Sequence, residues 1–143
     1  MEINSNINPV TYSVNNSIEI IELFCNEEIK YDDNDEYEII LNSLKNIHKQ
    51  YEEYIGLEEN IELRLKANMY NSFYISFSEI EEQLEKNPNK NLIVNLSTDK
   101  ETNKLLINLY KKMFVIFDNV EVTTDKIFNK TRVIIKQNNK ILK

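Results

Sequence analysis

The chain has 143 residues and a formal net charge of −7, with 41% apolar residues, eight Tyr and six Phe. That is enough apolar material to bury the core of one domain, and too much for a disordered tail. One glycine (Gly56), one histidine (His48) and one cysteine (Cys25) exclude a Gly-rich phosphate cradle, a Cys/His zinc site and an internal disulfide.

The N-terminus, Met1-Glu-Ile-Asn-Ser, has neither the basic start nor the apolar segment of a signal peptide, and no apolar run is long enough to span a bilayer. With a lone thiol, these features predict a cytoplasmic protein with no membrane partner. Charge is uneven. Residues 1–60 carry 14 Asp/Glu against 3 Lys, whereas residues 61–143 carry 10 acids against 14 bases. An acidic first half disfavours nucleic acid and points to protein partners. From Lys126 to Lys143 there are six bases and no acid, a composition that fits a solvated edge strand.

In chain order, Val10-Thr-Tyr-Ser-Val14, Asn15-Asn16 and Ser17-Ile-Glu-Ile-Ile-Glu-Leu23 predict a β-hairpin around an Asn-Asn turn. Lys30 to Asn34 is a polar loop. Asp33 and Glu36 form a capping box that opens a helix with an apolar face of Tyr37, Ile40, Leu41, Leu44, Ile47, Tyr51 and Tyr54, ending near Gly56. Apolar residues at 61, 63, 65, 67 and 69 alternate with polar ones and predict a strand. Phe73, Phe77, Ile80 and Leu84 then follow helical spacing up to Asn87-Pro88.

Asn91–Leu96 predicts a short strand covered on both faces. Thr98 and Glu101 cap a third helix with a face of Thr102, Leu105, Leu106, Leu109 and Met113. Phe114–Phe117 predicts strand continuing through Val120 and Val122, and Thr131–Ile135 a last edge strand. The predicted fold class is α/β: one domain over 1–143, a mixed sheet with packed helices in the order ββαβαβαββ.

Several of these segments, in this order, resemble the STAS-like regulatory proteins, which include anti-sigma-factor antagonists and the SiaC-type regulatory phosphoproteins. Asn8-Pro9-Val10-Thr11-Tyr12 with Ser17–Ile20 is similar to that family's opening hairpin. Tyr31-Asp-Asp-Asn34 with Tyr37-Glu38 resembles its Tyr-Pro-Glu-Asn loop, with Asp32 in place of the proline. Leu63–Ala67 through Asn71-Ser72-Phe73-Tyr74 resembles its strand ending in Asn-Thr-Ser-Ser, of which Asn71 and Ser72 carry over. Residues 8–122 resemble the family; residues 123–143 form a basic extension.

The resemblance implies a STAS-like fold and a non-enzymatic switch without cofactor or metal. Its serine at the strand-to-helix joint, Ser72 with Ser76 as second choice, is phosphorylated by a serine/threonine kinase and restored by a PP2C-type phosphatase. The unmodified form then docks on a diguanylate cyclase or an anti-sigma factor. The same resemblance assigns partner binding to Asn71, Phe73, Tyr74, Tyr31 and Asn34. Phosphate beside a helix N-terminus is electrostatically tolerated.

Each residue also has a plainer reading. Ser72 is a good helix cap, and Ser76 with Glu79 is itself a capping box. His48 is a half-buried packing residue and Cys25 a buried small hydrophobe. Asp32–Glu36 has the composition of a calcium loop but lacks its glycine and its acid at position twelve. Tyr51, Tyr54, Tyr70 and Tyr74 are rim residues of a core. A second functional reading follows from charge alone: an acidic inhibitor or immunity protein whose acidic half, residues 1–60, covers a basic protein target.

Overall fold

The computed structural model describes residues 8–26, 34–87, 90–96 and 99–137. Four helices and three strands follow in the order α1 (Pro9–Cys25), α2 (Asn34–Leu57), α3 (Ile61–Lys86), β1 (Leu92–Leu96), α4 (Lys100–Phe114), β2 (Val120–Ile127) and β3 (Lys130–Gln137). The expected ββαβαβαββ order with a mixed sheet is therefore overturned. The fold is mainly helical, with a small antiparallel sheet of order β1-β3-β2.

The expected first hairpin is helix α1. Asn8 caps it, its side chain accepting a hydrogen bond from the Val10 amide at 2.8 Å, and Pro9 takes the first helical position. Val14, Ile18, Ile21 and Cys25 recur at helical spacing and are all buried. Asn15, expected in a turn, is held mid-helix by tertiary bonds: it accepts from the Tyr54 hydroxyl at 2.6 Å and donates to Glu58 at 3.2 Å.

Helix α2 matches its expected face. Tyr37, Ile40, Leu44, Ile47 and Tyr54 are buried, with Leu41 and Tyr51 packed at the margin. The proposed cap Asp33 lies outside the described residues. Helices α1 and α2 meet along a polar seam in which the Asn46 amide donates to Ser13 Oγ (3.0 Å) and Ser17 Oγ (2.9 Å), and Gln50 donates to Ser13 Oγ (3.1 Å). Short serines let the helices approach, and the bonds satisfy polar groups that burial would otherwise penalise.

The expected strand at 61–69 is the first third of helix α3, which begins at the Asn60 cap. Its buried residues are Ala67, Tyr70, Phe73, Phe77, Ile80 and Leu84, a three-and-four spacing that only a helix places on one face. The alternation that suggested a strand misleads, because Ile61 and Leu65 are 69% and 64% exposed.

Helix α4 is capped by Asp99, whose side chain accepts from the Thr102 amide at 2.9 Å; Thr98 lies outside the described residues. The expected strand at 114–117 is instead the end of α4 and a turn closed by Asn119 at φ 64°. Strand β3 is central, not an edge. It pairs antiparallel with β1 (Val94↔Val133) and with β2 (Val122↔Ile135), so β1 and β2 run parallel and α4 forms the crossover between them. Val133 and Ile135 are fully buried, while β1 alternates in burial and is covered on one face only.

A two-residue turn, Phe128-Asn129, links β2 to β3, with φ 52° and 65°. This is the primed geometry of tight hairpins. A bulky side chain at positive φ costs on the order of 1–3 kcal/mol.

The sheet and α4 close one end of the three-helix bundle. Glu36 of α2 and Lys112 of α4 form an ion pair at 2.8 Å whose side chains are only 7% and 1% exposed. Charges so deeply desolvated persist only when paired. Lys112→Met alone is expected to cost about 3–5 kcal/mol in denaturant unfolding, as is Glu36→Leu, because each removes one charge of a desolvated pair. The double replacement should cost less than either single change.

A second electrostatic test lies on α3, where burial first, and then the neighbouring Glu85, push the Glu81 carboxyl above its usual range against the opposing effect of Lys45. A carboxyl with a raised folded-state pKa destabilises the fold once ionised. Glu81→Gln should therefore raise the melting temperature at neutral pH. The gain should shrink as pH falls through the raised value, and vanish below the ordinary Glu value of about 4.3.

Candidate functional site

A groove of about 1060 Å³ runs between α3, strand β1 and α4, with the end of α1 at its margin. Its apolar lining comes from Leu65, Met69 and Phe73 of α3, Val94 and Leu96 of β1, and Leu105, Leu106 and Tyr110 of α4. Both helices leave the groove at an aromatic clamp. The Phe73 and Tyr110 rings meet edge-on at 4.6 Å, and Phe77 packs on Phe114 at 5.0 Å. Such pairs add stabilisation beyond their buried area.

Around this lining sit Glu22, Glu62, Asp99 and Glu101, against Lys66 and Lys104. Lys66 is already engaged by Glu22 at 3.1 Å, and the Tyr70 hydroxyl donates to the same carboxylate at 3.2 Å. Burial, then Glu22, push the Tyr70 phenol well above its ordinary range, so it stays a neutral donor. The amide of Thr102, followed by its hydroxyl, holds the Asp99 carboxyl below the usual range. Its negative charge therefore persists into mildly acidic solution.

Strand β1 forms one wall and pairs with β3 alone among the described residues. Alternate residues along its other edge turn N–H and C=O groups away from the sheet. Its sequence, Leu-Ile-Val-Asn-Leu, carries none of the lysines or prolines that usually blunt an edge.

The residues singled out from the sequence separate into two groups. Ser72, Phe73 and Ser76 border the groove. Ser72 is exposed, Phe73 is buried in the aromatic clamp, and Ser76 Oγ accepts from the Tyr110 hydroxyl at 3.3 Å. Asn71 and Tyr74 face α2 instead: Asn71 Oδ1 accepts from His48 Nδ1 at 2.7 Å, and the Tyr74 ring lies 5.1 Å from the His48 ring. Asn34 is the first residue of α2, and Tyr31 lies outside the described residues.

The strand-to-helix joint expected at Ser72 is not there. Helix α3 starts at Ile61, so Ser72 lies roughly 16 Å along it, beyond the first turn where the dipole favours a phosphate. Phe73 is a core residue, 3% exposed, at the inner margin of the groove. Ser72 and Ser76 are interior helix positions and cap nothing.

The two classical nucleophile-and-base residue types are also apart in role. His48 is exposed and tied to Asn71. Cys25 is buried at the end of α1, and burial, partly offset by Lys112, pushes its thiol up to about 12; a thiol so rarely ionised is a poor nucleophile.

The sequence reading missed the groove because it treated Leu65 and Met69 as inward strand residues. The available signal was the run Glu-Leu-Arg-Leu-Lys-Ala-Asn-Met, made mostly of strong helix formers. No helix among the described residues is long and apolar enough to cross a membrane. Comparison with protein-family models, with curated proteins and with solved structures finds no match, so nothing there identifies a STAS-like or SiaC-type protein.

Proposed function

We propose that this chain is a non-enzymatic protein-binding domain, of the acidic inhibitor or immunity type, that takes a basic and apolar segment of a partner protein into the α3–β1–α4 groove. The observation that carries this reading is the pairing of an apolar lining with a rim on which Glu22, Glu62, Asp99 and Glu101 outnumber Lys66 and Lys104, in a chain whose net charge is −7. Apolar contact supplies affinity in such a site, while the rim selects partner charge and speeds encounter. The β1 edge that no described strand pairs adds a way to hold an extended segment: main-chain hydrogen bonds to the strand, with alternate side chains directed into the groove.

Ser72 on the groove border separates this reading from the phosphoswitch. A negative charge there should weaken partner binding if it works as a switch, and strengthen binding if the partner is basic.

The test is calorimetric titration of the full chain with a peptide of alternating Lys and Leu, and with its Gln/Leu counterpart as a neutral control. The Lys/Leu peptide should bind more tightly, and added salt should narrow the difference. Ser72→Asp should tighten binding by roughly 1.4- to 5-fold, the worth of one exposed charge pair at about 0.2–1 kcal/mol. Glu101→Lys should weaken it. Loss of binding in Ser72→Asp, or parent-like binding in Glu101→Lys, would overturn the proposal.

A further inference from the structure

The β2–β3 hairpin tip contradicts its own turn. Two-residue turns of this geometry favour Asn-Gly or Asp-Gly, since both central residues need positive φ. Here the first is Phe128, at φ 52° and 92% exposed. The side chain adds backbone strain and almost no burial, so within the chain it stabilises nothing. Strain of this kind commonly marks a position whose role lies in an interaction.

Its surroundings define what it would contact. Ile127 is also exposed, as are Lys126 and Lys130 on either side. The acid nearest in sequence, Asp125, is engaged by Arg132 through two bonds of 2.8 and 2.7 Å. Among the described residues the tip is thus an apolar point flanked by two positive charges that no ion pair engages, on a molecule with a net negative charge. An apolar socket with an acidic rim is its complement. The groove beneath Leu65, Glu62 and Glu101 has that character, and no tip residue lines it within the same chain.

We infer that the hairpin tip, with Phe128 at its point, docks into the α3–β1–α4 groove of a second copy of this chain. The inference rests on the groove being a protein-binding site. Self-association of this kind occupies the groove until a basic partner displaces the tip, which makes assembly and partner binding mutually exclusive.

Sedimentation velocity of the full chain, from low to high micromolar concentration, tests it. The parent protein should shift from monomer to a larger species as concentration rises, and salt should oppose the shift. Phe128→Asn places a residue suited to positive φ at the turn. It should stay monomeric throughout while melting at the same temperature or a few degrees higher, so loss of assembly cannot be loss of fold. Lys126→Glu combined with Lys130→Glu, and separately Leu65→Asp in the groove, should also stay monomeric.

A parent protein that remains monomeric across the range overturns the inference, as does Phe128→Asn assembling like the parent. The groove reading fails separately: in that case the Lys/Leu peptide does not bind even the monomeric Phe128→Asn variant, whose groove is free of competing tips.

Discussion

The aromatic clamp between α3 and α4 is the contact on which the groove depends. Phe73 at the midpoint of α3 and Phe77 beyond it meet Tyr110 and Phe114 in the C-terminal half of α4, and Phe117 extends the cluster, lying 5.2 Å from Phe114 and 6.3 Å from Tyr37 of α2. Fixing one half of each helix leaves the other halves flanking a space. That space, walled by β1, is the groove. Its existence thus follows from where the aromatic residues stop: α3 has none before Tyr70 and α4 none before Tyr110.

Electrostatics divides along the same line. The opening of α2 is tied into the C-terminal unit by the buried Glu36–Lys112 pair, which neutralises charge where water is excluded. On the groove rim, acids outnumber bases and face solvent, where charges contribute little to stability but much to encounter with a partner. The basic hairpin tip stands apart from both. A chain that is acidic overall therefore carries one positive, apolar projection together with a socket of opposite character.

Legibility from sequence followed the strength of the periodic signal. Helix α2 was legible because seven apolar positions repeat at helical spacing, and helix α4 for the same reason. Strand β3 was located but misplaced at the edge, since its lysines suggested solvent; its inner residues Val133 and Ile135 are fully buried between two neighbours. Helices α1 and the start of α3 were misread through period-two alternation. Over nine residues, apolar positions at 61, 63, 65, 67 and 69 satisfy a strand template, yet only Ala67 among them is buried. Propensity and the Asn8-Pro9 and Asn60 caps pointed to helix, and tertiary packing agreed with them. The resemblance to a STAS-like fold drew two of its segments, the opening hairpin and the strand before Ser72, from those misreadings, so the joint at Ser72 went with them. Ser72, Phe73 and Ser76 do border the groove, but they were picked for a different geometry.

The central claim is that partner binding occurs in the groove beside the clamp, not on the acidic outer surface at large. Amide chemical-shift mapping of the isotope-labelled chain during titration with the Lys/Leu peptide tests it most directly. Shifts concentrated at Leu65, Met69, Val94–Leu96 and Glu101–Leu105 are the result expected. Shifts spread instead over the exposed acids of α2, such as Glu38, Glu52 and Glu53, with the groove amides unmoved, would contradict it.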